Sequence, residues 1–377
     1  MSLLDQYVLK KFLLPFTYCI VGFLAIWFIF DLSDNLSDFI EGKAGFFILL
    51  RYYQSQVPAI IVMCLPIAAL LALLYSLSAM SRTNELISML GAGRSVIRVL
   101  VPLFAMGLLL TGVSFYLNYE QAPHAALMKK QMLREIKSGK KKLVGNLEAH
   151  LFRNREDMRT WFMRRINVER NQLIDVEIIQ QDANSNITKT WYSQDAYFNT
   201  DTQNWVLYKA RTVEFDLEGN VTKDESFPDG LEITGWRETP WRISSSVMNP
   251  DYLSVPELRE YLMYNADFKE ARLAPYRTSL QERISTPLAC FLVVCIAAPL
   301  GIVYSRRGIL ASVMSAIGIF FTFFFMSIFF IALGKGNLIS PVLAGWIPLA
   351  TFLVVGCGLL WMRSTSRDLP KFKLPWA

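Results

Sequence analysis

The sequence predicts an α-helical membrane protein with six transmembrane helices in a 3+3 arrangement and an inserted, antiparallel, jelly-roll-like β-domain. Three observations predict it: six apolar runs of spanning length, a long polar insertion of alternating short strands after the third, and an asymmetric placement of Lys and Arg. Of 377 residues, 53% are hydrophobic and the mean hydropathy is +0.30. The runs are Phe12–Phe30, Val57–Met80, Val99–Leu117, Ile284–Tyr304, Ile309–Leu333 and Leu338–Met362. Each holds the ~20 residues that a helix needs to cross the hydrocarbon layer.

Basic residues set the expected orientation. Lys10 and Lys11 precede the first run, and Arg82, Arg94 and Arg98 separate the second from the third. Arg306 and Arg307 separate the fourth from the fifth, and Arg363, Arg367, Lys371 and Lys373 follow the sixth. The alternate short loops carry Lys43, Arg51 and Lys335 beside Asp34, Asp38 and Glu41. Both termini are therefore expected in the cytoplasm and the insertion outside. This bias accounts for most of the net charge of +6, so no nucleic-acid partner is implied. The first run has no A-x-A site after it and reads as an uncleaved signal anchor. All five cysteines (Cys19, Cys64, Cys290, Cys295, Cys357) fall inside apolar runs, which leaves the insertion to be held by its own core rather than by disulfides.

These features divide the chain into helices 1–3 (residues 1–117), an external domain (118–280), helices 4–6 (281–363) and a tail (364–377). At the start, Leu3, Leu4, Tyr7, Val8 and Lys11 stand at helical spacing, which predicts a short interfacial helix leading into span 1. Phe46, Phe47, Tyr52 and Tyr53 read as headgroup-level aromatics. Pro58 and Pro66 in span 2, and Pro287 and Pro299 in span 4, predict kinks. The insertion opens on Lys129, Lys130, Arg134, Lys137 and Lys140–Lys142, either a solvated face or a patch for lipid phosphates. From Leu147, DVEIIQQ, TKTWYSQDAYF, NWVLYKARTVEFDL and NVTKDESF alternate apolar and polar residues as strands do. Turn residues punctuate them at Asp182-Ala183-Asn184, Asp201-Thr202-Gln203 and Glu218-Gly219-Asn220. Ser254–Phe268 reads as a capped helix, with Ser254 three residues before Glu257 and Pro256 in the first turn.

Several chemistries are missing from the sequence. It has no GxxxxGK[ST] loop, no G-x-S-x-G elbow, and two histidines (His124 and His150) without a cysteine or histidine cluster at metal-ligand spacing. No cofactor is expected. The interiors of the six runs carry no Asp, Glu, Lys, Arg or His. Self-powered ion-coupled transporters generally need such groups, so a non-catalytic subunit driven from elsewhere is expected. Span 5, with Phe320, Phe321, Phe323, Phe324, Phe325, Phe329 and Phe330, is either lipid-facing packing surface or a wall for acyl chains.

Between spans 2 and 3 lies SRTNELISMLGAGRSVIR, Ser81–Arg98. Ser81 or Thr83 is a candidate N-cap, Leu86, Ile87, Met89 and Leu90 give an apolar face, and Gly91-Ala92-Gly93 ends the helix. Glu85 lies at the positive helix N-terminus. Such a helix either docks into a groove of a cytoplasmic partner or lies on the membrane surface.

The stretches RTNELISMLGAGRS, NPDYLSVPELREYL, QERISTPLACFLVVCIAAPLGI and GKGNLISPVLAGWIPL, in this order, resemble the LptF/LptG (YjgP/YjgQ) permeases, membrane subunits of the lipopolysaccharide ABC exporter. The resemblance covers nearly the whole chain and is weakest in the strands. It implies a multi-pass protein of a Gram-negative inner membrane that extracts lipopolysaccharide from the outer leaflet. Implied partners are a cytoplasmic ATPase (LptB-like), a paralogous six-span permease, an LptC-like single-span bridge protein and lipopolysaccharide itself. Glu85, Leu86, Met89, Gly91 and Gly93 would couple to the ATPase, and spans 1 and 5 would line lateral gates. The β-domain would be a periplasmic jelly roll that passes acyl chains onward. In the family, basic residues near the outer end of span 1 help to hold lipid phosphates, whereas this chain reads DLSDNLSD there. Lys43, Arg51, Arg277, Arg283 and Lys335 are the candidates that remain for phosphate contacts. Two other readings stand beside this one: a lipoprotein-release type permease, which usually has four spans, and a non-transporting membrane scaffold.

Overall fold

The computed structural model describes residues 3–138, 147–154, 157–167, 170–245, 249–266, 268–302 and 309–365. Arg306, Arg307, Lys140–Lys142, Arg367, Lys371 and Lys373 lie outside them, as do the side chains of Lys137 and His150. The chain divides into two compact units: Met1–Leu133 with Pro250–Arg259 and Glu270–Ala377, and Arg134–Asn249 with Glu260–Lys269.

Among the described residues, the first unit holds six helices long and apolar enough to cross a membrane. Helix α1 (Leu3–Glu41) is one continuous helix of 39 residues. The described part of the expected interfacial helix (Leu3–Lys11) is therefore its first turns, since nothing in the sequence stops it before Pro15 and it runs through that residue too. At 1.5 Å per residue it measures about 58 Å, well beyond a hydrocarbon layer of about 30 Å. A turn at Lys43, with φ +48°, leads into α2 (Phe46–Arg82).

Helix α3 (Glu85–Gly91) follows. Its N-cap residue is Asn84 in the left-handed region (φ +59°), not Ser81 or Thr83. The Thr83 hydroxyl instead donates to the carbonyls of Ala79 and Met80, finishing the preceding helix. Asn tolerates the left-handed conformation better than other non-glycine residues, and the sharp reversal between α2 and α3 uses it.

Helix α4 (Val96–Tyr116) is capped by Ser95, whose hydroxyl accepts from the Arg98 amide at 3.3 Å. It does not end where the hydrophobicity falls. A π-helical turn (Leu117–Gln121) carries it into α5 (Ala122–Ser138). The composition shift at Asn118 marks a change of surroundings, while the backbone hydrogen bonds continue.

The return to the first unit runs through α7 (Val255–Tyr264) and α8 (Glu270–Ser285). A 3-10 turn over Thr286–Leu288, with Pro287 inside, breaks α8 from α9 (Ala289–Gly301). Every residue of α9 except Phe291 is buried, because α2, α4, α10 (Ile309–Lys335) and α11 (Pro341–Ser364) all pack on it. Leu70, Leu73, Leu100, Val293, Ala297 and Phe320 form the centre of this core. Close approach is built from small residues, as is usual between membrane helices. A methyl group at Gly334 would lie 2.5 Å from the Cβ of Ala344, so α10 and α11 touch there backbone to side chain.

The second unit is an open antiparallel sheet. Its strands are β1 (Leu147–Asn154), β2 (Arg159–Asn167), β3 (Gln172–Gln181), β4 (Ile187–Asn199), β5 (Asn204–Tyr208), β6 (Ala210–Phe215), β7 (Val221–Phe227) and β8 (Leu231–Ile233). The order is β1-β2-β3-β4-β5-β8, with β7 on β6 and β6 also on β4. The long β4 pairs with β6 over Lys189–Tyr192 and with β5 over Asp195–Asn199. NWVLYKARTVEFDL is accordingly two strands rather than one. Lys209 (φ +49°) breaks it and sends the chain to the other half of β4, which gives the sheet its jelly-roll-like fork.

Asp182 and Asp216 make matching Asx turns, each accepting backbone amides two and four residues on. Inside, Trp161 meets Trp205 at a tilt and Trp236 edge-to-face, with ring centroids 5.2 and 5.3 Å away. A buried ion pair closes this core: Arg159 meets the fully buried Glu238 at 2.8 Å, and its guanidinium lies over Trp236. The helix α6 (Pro240–Ser245) follows this pair.

Candidate functional site

A cavity of about 330 Å³ opens in the first unit between α2, α8, α10 and α11. Val62, Met63 and Pro66 of α2 form one wall. Phe320, Phe323, Phe324 and Ile328 of α10 form a second, and Ala344, Gly345 and Pro348 of α11 a third. These side chains offer a wall for hydrocarbon and little else. Polar groups gather at one part of the lining, where Asn118, Asp251, Glu282 and Arg283 stand.

The polar part is densely bonded. Arg283 Nη2 donates to the Asp251 carbonyl at 2.6 Å, and Asn118 Nδ2 donates to the Arg283 carbonyl at 2.9 Å. Lys335 Nζ donates to Asp251 Oδ1 at 2.8 Å and lies 3.3 Å from Glu282 Oε2. The buried Nε of Arg283 has no hydrogen-bond partner among the described residues. Nearby, Ser254 and Glu257 form the expected capping box, with the Ser254 amide and hydroxyl both 2.7 Å from Glu257 Oε2. Burial pushes the Glu257 carboxyl up, but the Ser254 bonds and the His124 ring 3.2 Å away outweigh it, leaving the group below its ordinary range.

The five phosphate candidates are not gathered in one place. Arg283 lines the cavity, and Lys335 joins it through the shared Asp251. Arg277 is bound to Glu270 at 2.7 Å, one face of α8 pairing with itself. Lys43 sits in the turn after α1 and Arg51 on an exposed face of α2; neither lines the cavity. Lys335 already meets two carboxylates. Arg283 is thus the one of the five that both lines the cavity and keeps an unused donor among the described residues.

The second feature is α3. Glu85 Oε2 accepts from the Tyr7 hydroxyl at 2.9 Å, and Oε1 lies 3.8 Å from Lys11 Nζ. Leu86 is 1% exposed and packs in the core with Val8, Phe12 and Met80. It therefore anchors the helix and does not present itself to a partner. Ile87, Gly91 and Gly93 are exposed and Met89 is half-buried. Gly93 takes φ +83°, which ends the helix in a conformation that a side chain would strain. Among the described residues, no group of three or more His, Cys, Asp or Glu stands close enough to hold a metal ion.

Over residues 6–362 the sequence matches the family model described as lipopolysaccharide export system permease LptF/LptG. The chain belongs to the LptF/LptG family. A comparison with curated proteins returned no match. As an LptF/LptG protein it is a multi-pass inner-membrane permease subunit of lipopolysaccharide export, and not itself a catalyst.

Three contacts of this LptF/LptG chain had no local signal in its sequence. Asp31, 4% exposed at its side chain, is held by Lys129 and by the Tyr52 hydroxyl at 3.0 Å. Tyr52, expected among headgroup-level aromatics, is instead fully buried. Arg98 reaches Asp5 at 3.3 Å, and Tyr7 with Lys11 reaches Glu85. The partners of the closest pair are separated by 21 positions and those of Asp31–Lys129 by 98, so no periodicity announces them.

Proposed function

We propose that this LptF/LptG chain takes lipopolysaccharide from the outer leaflet of the inner membrane. Acyl chains enter the cavity between α2, α10 and α11, and a lipid phosphate meets Arg283. The supporting observation is the cavity's lining: an apolar wall on three helices with an arginine at its polar part that keeps an unused donor among the described residues. A guanidinium suits this role because its fork matches phosphate geometry. Energy comes from a separate LptB-like ATPase seated on α3 around Glu85, with both termini on its side of the membrane, as the Lys and Arg placement supports. A paralogous permease completes the membrane part, and the β-domain hands lipid to an LptC-like bridge.

The test is photo-crosslinking. A reactive residue at Phe324 or Ile328, both on the cavity lining, should capture lipopolysaccharide far more than one at the exposed Leu109 of α4. Arg283→Ala should lower capture roughly tenfold, the worth of one hydrogen bond to a charged group. Equal capture at Leu109, or no effect of Arg283→Ala, would overturn the assignment of the cavity.

A further inference from the structure

Helix α1 is held in an unusual way. Its buried residues are Asp5, Val8, Phe12, Asp31 and Phe39. Between Phe12 and Asp31, none of its described residues is buried. It is a bar fixed near both ends and only partly covered along its middle: Phe16 and Ile20 pack against the core, while Tyr18, Ile29 and Phe30 are each about two-thirds exposed.

What fixes the first end is specific. Val8 and Phe12 of α1 belong to the same core cluster as Leu86 of α3. Glu85 itself faces α1 with both oxygens: Oε2 accepts from the Tyr7 hydroxyl at 2.9 Å, and Oε1 lies 3.8 Å from Lys11 Nζ as an ion pair. Lys11 also lies over the Tyr7 ring, 5.3 Å from its centroid, which orders the two side chains against each other. One turn before, Asp5 is tied to Arg98 at the start of α4. The far end is tied by Asp31 to Lys129 of α5 and Tyr52 of α2.

We propose that Tyr7 and Lys11 are positioning residues that clamp the coupling carboxylate Glu85 to α1, so that a displacement of α3 is passed directly to this helix. The inference rests on the reading of α3 as the ATPase-docking element. A carboxylate hydrogen-bonded to one side chain of α1 and ion-paired with another follows that helix when either moves. Any partner that pulls on Glu85 therefore pulls on the first turns of α1, and the ~30 Å of helix between Lys11 and Asp31 carries that motion onward. Removing the clamp should leave docking possible and let the stroke go untransmitted.

The experiment uses the whole transporter, with its ATPase and partner permease, in proteoliposomes holding lipopolysaccharide. Tyr7→Phe deletes one oxygen from a partly exposed residue and keeps the ring; Lys11→Met deletes the charge and keeps most of the stem. The double variant should keep its ATPase bound and its hydrolysis within about twofold, while lipopolysaccharide moved per ATP falls roughly tenfold, the order of one charge-assisted hydrogen bond. Lys11→Arg should retain the wild-type ratio. An unchanged ratio in the double variant, or hydrolysis and movement falling in proportion, overturns the clamp. A separate arm with Glu85→Gln distinguishes the two layers. If that variant binds the ATPase and moves lipid per ATP as the wild type does, the docking reading of α3 fails, and the clamp with it.

Discussion

Replacing Lys129 by Met should cost much more than replacing Asp31 by Asn, although each deletes the same ion pair. The Asp31 side chain is 4% exposed and that of Lys129 is 35% exposed. Lys129→Met leaves a carboxylate buried among α1, α2 and α5 with the Tyr52 hydroxyl as its remaining donor. Removing one partner of a buried pair costs about 3–5 kcal/mol, and the partial exposure of Lys129 argues for about 3. Asp31→Asn keeps an oxygen for Tyr52 and leaves the cation to water and to the face of Trp27, 4.8 Å from Nζ. Its cost should be about 1 kcal/mol, as for a partly exposed pair. The double substitution removes both charges and should recover about 2 kcal/mol relative to Lys129→Met alone. Thermal midpoints of the purified complex give the ranking, and hydrogen exchange along α1 shows where the loss falls. Equal costs for the two single substitutions, or simple additivity in the double, would refute the argument from burial.

Two further outcomes are expected. Arg159→Met should destabilise the β-domain by about 3 kcal/mol, because it leaves the fully buried Glu238 carboxylate without its cation and with the Asn154 amide still donating to it; the fluorescence of Trp236, under the Arg159 guanidinium, reports it. The lowered pKa of Glu257 means that the capping box stabilises α7 above the ordinary carboxylate range of about 4.3. That contribution is lost as the pH falls through the folded-state value. Protection of the α7 amides, taken relative to their intrinsic exchange rate, should therefore fall on acidification in the wild type, and Glu257→Gln should flatten the dependence.

The parts of this structure that the sequence disclosed are those written in local spacing. A run of about 20 apolar residues specifies a span by itself, and Ser254 with Glu257 specifies a cap because the two lie three residues apart. The Asx turns at Asp182 and Asp216 are local in the same sense. What stayed hidden depends on backbone choices or on residues far apart. Apolar content says when a helix leaves a greasy environment and not when its hydrogen bonds stop, so α4 runs on past Leu117 through a π turn. Lys209 and Asn84 adopt positive φ where neighbouring segments demand it, and neither is a glycine that would have signalled a break. Of five basic residues outside the apolar cores, Arg283 stands apart because Asn118 and Asp251 happen to flank it, 165 and 32 positions away. The acidic C-terminal part of α1 likewise makes sense only with Lys129 beside Asp31.

The measurement that bears most directly on the account is retention of the ATPase on the membrane complex with and without Glu85. Wild type and Glu85→Ala, purified from native membranes and analysed by mass spectrometry, should differ in one respect. Wild type should carry a P-loop ATPase, a paralogous six-span permease and lipopolysaccharide, and Glu85→Ala should lose or weaken the ATPase while keeping the second permease. Wild type lacking both the ATPase and lipopolysaccharide, or Glu85→Ala holding the ATPase as firmly as wild type, would contradict the placement of energy coupling at α3.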